Sequence, residues 1–295
     1  MTATLGISLQ ALFGQLLLGL VNGSFYAILS LGLAVIFGLL GVVNFAHGAL
    51  YMIGAYVAWF SLDRWNVGFW WALLLGPLVV GALGLVIERL LLKRLYKLDP
   101  LYGLLLTFGL ALIFQGVFLE RYGSSGQPYD TPEALSGAID LGFMILPKYR
   151  GFVIAAALVI CLGTWFLIER TRLGALLRAG TENPPLVQAF GVNVPLMVTL
   201  TYAGGAALAG LAGVLAAPVI QVSPLMGGNL IIVVFAVVVI GGMGSIAGSI
   251  INGLALGLLE GLTRVFYPEA SNVVVFFIMA IVLMLRPAGL FGKEK

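Results

Sequence analysis

The residue types that carry most enzymatic chemistry are nearly absent from this sequence. Its 295 residues include one histidine, His47, and one cysteine, Cys161. General-base, nucleophilic or metal chemistry needs groups in concert. One imidazole and one thiol offer none, so no catalytic residue, metal site or cofactor of its own is expected. Cys161 sits in an apolar run and reads as a small buried core residue. The phosphate loop G-x-x-x-x-G-K-[ST] is also missing, so the chain carries no recognisable ATP site. What remains is a set of polar side chains inside apolar stretches: Asn22, Ser24, Asn44, His47, Gln115, Gln221, Ser223, Asn229, Ser245 and Asn252.

The elements around them belong in lipid. Hydrophobic residues make up 61% of the chain and charged residues 9%, against roughly 45–50% and 25% in soluble domains. The first 62 residues carry no Lys, Arg, Asp or Glu, and the first charge is Asp63. A charge at the centre of a spanning helix costs about 2.5–3.5 kcal/mol on insertion scales, so charges should mark span ends. Cutting at charges, prolines and polar clusters gives spans near 9–31, 36–60, 68–87, 101–119, 151–168, 194–217, 229–243, 246–263 and 272–285. The fold class is therefore an all-α polytopic bundle of about 8–10 spans, one transmembrane domain over 1–295. Glycine and small polar residues interrupt it at Asn44–Gly48 and Gly241–Gly248, where broken or re-entrant helices are expected. The N-terminus lacks the basic flank and cleavage site of a signal peptide, so no processed leader is expected.

Polar groups at membrane depth face protein or water. Broken helices beside a cavity are how transporters build substrate sites, which makes Asn22, Ser24, Asn44, His47, Gln221, Ser223 and Ser245 candidates for a solute path. Asn44 and His47 could equally bond neighbouring carbonyls and hold a break open. Glycines at four-residue spacing let membrane helices approach closely. Gly253, Gly257 and Gly261 form such a stripe, as do Gly19 with Gly23, and Ala206 and Gly210 with Ala209 and Gly213. Glu260 and Arg264, four residues apart at a span end, read as an interfacial ion pair.

Orientation follows from basic residues in short loops. Segments 88–99, 169–193 and 286–295 hold 10 of the 15 lysines and arginines, which places them and the C-terminus in the cytoplasm. The net charge of +3 comes from these interfacial groups and implies lipid contact rather than a nucleic-acid partner. The segment 169–193 is too polar to span. Within it Thr181-Glu182-Asn183 precedes Pro184-Pro185, Leu186-Val187 and Phe190, and Gly191 follows. Asparagine or threonine caps a helix, proline suits its first turn and glycine ends it. The residue before a proline resists helical geometry, so Pro185 is the expected first helical residue. A helix of about two turns, with Leu186, Val187 and Phe190 on one side, suits either a partner's groove or lipid headgroups.

This stretch, with Arg-Ala-x-x-Glu-Asn-Pro at Arg178–Pro184, resembles the coupling loop of ABC importer permeases, in particular the branched-chain amino acid branch. Asn22-Gly23-Ser24, Gly32–Gly38, Asn44-Phe45-Ala46-His47-Gly48, Ile53–Tyr56, Gly241–Gly248 and Arg286–Gly292 are similar to the same LivH-type subunits. Urea permeases of that superfamily share the Asn44–Gly48 type of motif, which leaves a small amide as an alternative substrate.

The resemblance implies a permease of a bacterial inner membrane. It implies a second permease chain, two ATP-binding subunits docked on Arg178, Thr181, Glu182, Asn183, Pro184, Leu186, Val187, Phe190 and Gly191, and a periplasmic amino-acid-binding protein. An ion-coupled secondary transporter would keep ionisable groups in the membrane, and no acidic residue sits clearly mid-span. A membrane-embedded enzyme lacks the residues it would need.

Overall fold

The computed structural model describes residues 8–292, with the side chains of residues 39 and 40 left aside. Eleven α-helices follow in chain order: α1 Leu9–Leu40, α2 Ala46–Trp65, α3 Phe69–Leu90, α4 Pro100–Tyr122, α5 Lys148–Glu169, α6 Arg172–Glu182, α7 Pro184–Ala189, α8 Val194–Ala216, α9 Met226–Gly241, α10 Ile246–Phe266 and α11 Val274–Leu285. Six are long and apolar enough to cross a membrane, and α9 and α11 are shorter apolar helices. A small antiparallel hairpin, β1 Ala138–Asp140 with β2 Ile145–Pro147, decorates the α4–α5 loop. The all-α bundle expected from composition is what forms.

The centre is glycine-lined. α1 lies along α10, where an added Cβ on Gly261 would stand 3.0 Å from the Gly19 Cα and one on Gly253 would stand 2.6 Å from the Ala27 Cα. A Cβ on Gly257 would strike the Gly23 Cα and the Gly19 carbonyl oxygen. α8 packs between α2 and α3 through Gly210 and Gly213, facing Gly54, Tyr51 and Val80. The small-residue stripes are therefore the surfaces on which the central helices meet. Cys161 is buried and free.

α1, α3, α5, α9 and α11 all finish at one end, the one that carries most basic residues. There Leu290 N–H donates to the Ile240 carbonyl at 2.8 Å, and Gly38 packs on Gly244. Two departures from the expected spans matter. α1 does not stop near residue 31 but continues to Leu40, ending on Gly41 in the left-handed region (φ 64°). The chain then turns back into the bundle as an irregular segment, 41–45, before α2 begins at Ala46. The interruption expected at Asn44–Gly48 is thus real but sits just ahead of the helix.

The second expected interruption, Gly241–Gly248, is a tight turn joining α9 to α10 through Gly242 and Gly244, both at positive φ. The second break lies earlier, at 217–225. It is followed by α9, whose 16 residues span about 24 Å, short of the roughly 30 Å hydrocarbon core.

Replacing Gly257 by Val should lower stability by roughly 3 kcal/mol through overpacking, since the obstructing atoms are backbone. Gly116→Ala, at a position with open space around it, should be neutral or slightly stabilising. Thermal unfolding in detergent, followed by size-exclusion chromatography, checks both.

Candidate functional site

The two breaks meet. The first turns of α2 and α9 touch at Gly48 and Gly227, where a Cβ on Gly48 would lie 2.5 Å from the Gly227 carbonyl oxygen. A larger residue on either side would force the helix starts apart. Segment 41–45 is clipped to α4 by Thr107, whose hydroxyl accepts from Phe45 N–H at 3.2 Å and lies 3.2 Å from the Val43 carbonyl. His47 is fully buried and its Nε2 stands 3.1 Å from the Leu29 carbonyl oxygen of α1. That contact fixes the α2 start about 16 Å short of the end of α1. Half-helix starts inside a bundle present backbone N–H groups and the positive end of the helix dipole.

Asn44 is 1% exposed, and neither polar atom of its amide has a partner among the described residues; the same holds for Nδ1 of His47. The Tyr202 hydroxyl, likewise short of a well-aligned partner, stands beside the Asn44 amide. Ser24, by contrast, is spent on its own helix, donating to the Leu20 carbonyl at 2.8 Å. Asn22 is half-buried on the same helix.

A cavity of about 200 Å³ opens where the two breaks meet, between α2, α4 and α9, with Phe45, Met52 and Phe108 on its walls and Gln115 its polar group. Gly228 and Ile232 of α9 line it and also a second cleft on the other flank of α9. Asn229 is exposed on this face of α9. Gln221 and Ser223 belong to the 217–225 break, which pairs with the α4–α5 loop. Gln127 N–H donates to the Val222 carbonyl at 2.8 Å, and Val222 N–H returns the bond at 3.0 Å. Gln115, Gln221, Ser223 and Asn229 are therefore grouped around the start of α9. Ser245 lies apart from them, capping α10 by accepting from Gly248 N–H at 3.1 Å. Asn252 is buried against Gly241 near that turn.

At the basic end, segment 170–193 holds two helices rather than one. α6 was not legible as a helix in the sequence, because its mixed Arg, Gly and Leu pattern reads as loop. α7 spans Pro184–Ala189, with Asn183 as cap accepting from Leu186 N–H at 3.1 Å. The first helical residue is Pro184, not Pro185: Asn183 stays outside the helical region (φ −142°, ψ 79°), as a residue before proline must, and Pro184 itself tolerates the first helical position. Gly191 ends the element at φ 83°, its N–H donating to the Gln188 carbonyl at 2.9 Å.

Leu186, Val187 and Phe190 do not share one face. Val187 is buried and anchors α7, whereas Leu186 and Phe190 are 54% and 79% exposed. Arg178 reaches back to α5, donating to the Glu169 carboxylate and the Ile168 carbonyl at 3.2 Å each, and so braces the loop. Thr181 and Glu182 are exposed at the end of α6. Thr181 and Pro184 face Val42 and Tyr96 across a cavity of about 400 Å³. The loop thus stands directly under the re-entrant segment.

One carboxyl group, Glu88, escaped the sequence reasoning, and a second, Glu260, forms the expected pair with Arg264 but is buried. Glu88, near the end of α3, is 1% exposed and accepts from Tyr96 at 2.9 Å and from Thr199 of α8 at 2.5 Å. Burial, then the neighbouring Glu88, pushes the Tyr96 hydroxyl above its ordinary range, so it stays a proton donor. Glu260 is not a surface partner of Arg264. Its carboxylate is buried, accepting from Tyr26 of α1 at 2.6 Å and from Arg264 at 2.5 Å. Both residues look interfacial because basic side chains follow them in the sequence; which way they turn is a tertiary fact.

Comparison with known proteins bears on what this arrangement serves. A family model described as "Branched-chain amino acid transport system / permease component" matches residues 15–283. The chain is 30% identical to the high-affinity branched-chain amino acid transport system permease protein BraD of Pseudomonas aeruginosa, over 95% of this chain and 96% of that protein. It is 29% identical to the LivH permease protein of Escherichia coli, over 95% and 96%. It is also 29% identical to the LivM permease protein of the same organism, over 92% of this chain and 68% of LivM. No solved structure matches.

Thr107→Val keeps the shape of the clip but leaves Phe45 N–H without its acceptor, at a cost of about 1–3 kcal/mol to the local structure. Hydrogen exchange should accelerate at the amides of residues 43–47 while the rest of α4 is unchanged; equal protection in the two proteins would remove the clip.

Proposed function

The chain belongs to the family of branched-chain amino acid transport permease components, and on that premise we propose that it is one membrane-spanning half of an ATP-driven importer for branched-chain or related amino acids. Energy must come from elsewhere, because the sequence has no phosphate loop. In this reading two ATP-binding subunits press on the basic end, which faces the cytoplasm of a bacterial cell, and a periplasmic binding protein delivers solute at the other. A second permease chain completes the path. Its support is that LivH and LivM, two permease proteins of one organism, both resemble this chain.

One observation carries the coupling role: α7 is held by buried Val187 while Leu186 and Phe190 point away from the protein. A six-residue helix does not persist alone in water, so its fixed cap, its anchor and its outward apolar pair suit insertion into a groove. Movement of α6 and α7 reaches α8, which starts five residues after α7 ends. It also reaches Val42 across the cavity beneath the loop. Segment 41–45 and the start of α2 then shift against α9, opening the bundle alternately to its two ends. A path with few charges suits an aliphatic substrate.

Phe190→Asp places a charge in the proposed groove. Because a central apolar anchor contributes about 2 kcal/mol or more, co-purification of the ATP-binding subunits should fall at least about tenfold. The amount of inserted permease should be unchanged. Undiminished co-purification would take α7 out of the docking role.

A further inference from the structure

On the flank of α9 away from α2, a cleft of about 320 Å³ opens between α1, α9, α10 and α11. Its size falls at the small end of ligand pockets. The inner wall carries Tyr26 and the buried carboxylate of Glu260; Val233 and Phe276 form an apolar wall; Asn229 and Asn272 stand among the lining residues and are exposed. The Glu260 carboxylate has about four acceptor positions, of which Tyr26 and Arg264 occupy two. An ion pair at spacing of four residues needs no partner on another helix, yet here the carboxylate is turned inward onto α1 and lines a cleft. Glu260 lies six residues before the end of α10, and a carboxylate kept buried there beside a cleft points to a solute or ion site.

Resting on the amino-acid permease reading, we infer that this cleft receives the substrate itself, a small α-amino acid with an aliphatic side chain. Glu260 accepts from the ammonium group, with Tyr26 and Arg264 holding the carboxylate in place. The side chain lies against Val233 and Phe276, and the amides of Asn229 and Asn272 donate to the substrate carboxylate. The cleft shares Gly228 and Ile232 with the cavity at the meeting of the two breaks, so its occupant sits beside the elements that move.

The test uses the complete transporter in lipid nanodiscs with photo-leucine, the diazirine analogue of leucine, and peptide mapping of the crosslinks. Labelling should fall on α9 and α11. Excess leucine should suppress it, and 4-methylpentanoate, which lacks the amine, should not. Glu260→Gln should reduce it at least tenfold in an assembled complex. Ile232→Trp, which leaves the ion pair intact and narrows the mouth, should reduce it as well.

Labelling that survives Glu260→Gln, equal competition by the two compounds, or a Glu260→Gln variant that fails to assemble while Ile232→Trp labels like the parent would each overturn the cleft. ATP-driven leucine uptake by the parent complex in proteoliposomes separates this from the broader reading. Uptake without cleft labelling removes the cleft alone; absence of uptake for any amino acid removes both.

Discussion

In lipid, a helix gains no hydrophobic free energy by exchanging an acyl chain for another helix, so a bundle must be held by close contact and by polar bonds that have no better partner. The central contacts here are backbone against backbone. α10 rests on α1 through Gly253, Gly257 and Gly261; α8 is seated against α2 and α3 through Gly210 and Gly213; and the starts of α2 and α9 touch through Gly48 and Gly227. Where glycine meets glycine these surfaces are smooth; α3 and α8 also interlock, with Val80 set against Gly210 and Val214 against Gly76.

Against this smooth frame the polar groups act as pins. Thr107 fixes the segment before α2, His47 ties α2 to α1, and Glu88 joins the α3–α4 turn to α8 through Tyr96 and Thr199. Thr107 and Thr199 reach partners 62 and 111 residues away, whereas His47 ties two consecutive helices.

Much of this was legible beforehand because membrane insertion writes its constraints in composition. Charges delimit spans, so the long apolar helices were found. The small helix after Asn183 was signalled by cap, prolines and terminating glycine. What could not be read was direction. Spans that are apolar all round do not declare which side is buried, so nothing distinguished Ser24, spent on its own helix, from Asn44, left without a partner. Gly241–Gly248 carries four glycines, whereas the true second break, 217–225, carries two prolines and no glycine. In the latter, Val222 pairs with Gln127, a residue almost a hundred positions away. Glu88 was hidden by the basic residues that follow it, the inward turn of Glu260 by its pairing with Arg264, and α6 by its resemblance to loop.

That pairing of Val222 with Gln127 consists of two main-chain hydrogen bonds. Main-chain bonds are indifferent to the side chains around them, so the α4–α5 loop can vary its outward surface to suit different visitors without loosening its grip on the strand that leads into α9. A push on that loop from outside reaches the interior through these two peptide-group bonds and the packing of Gly126 on the Gln221 side chain.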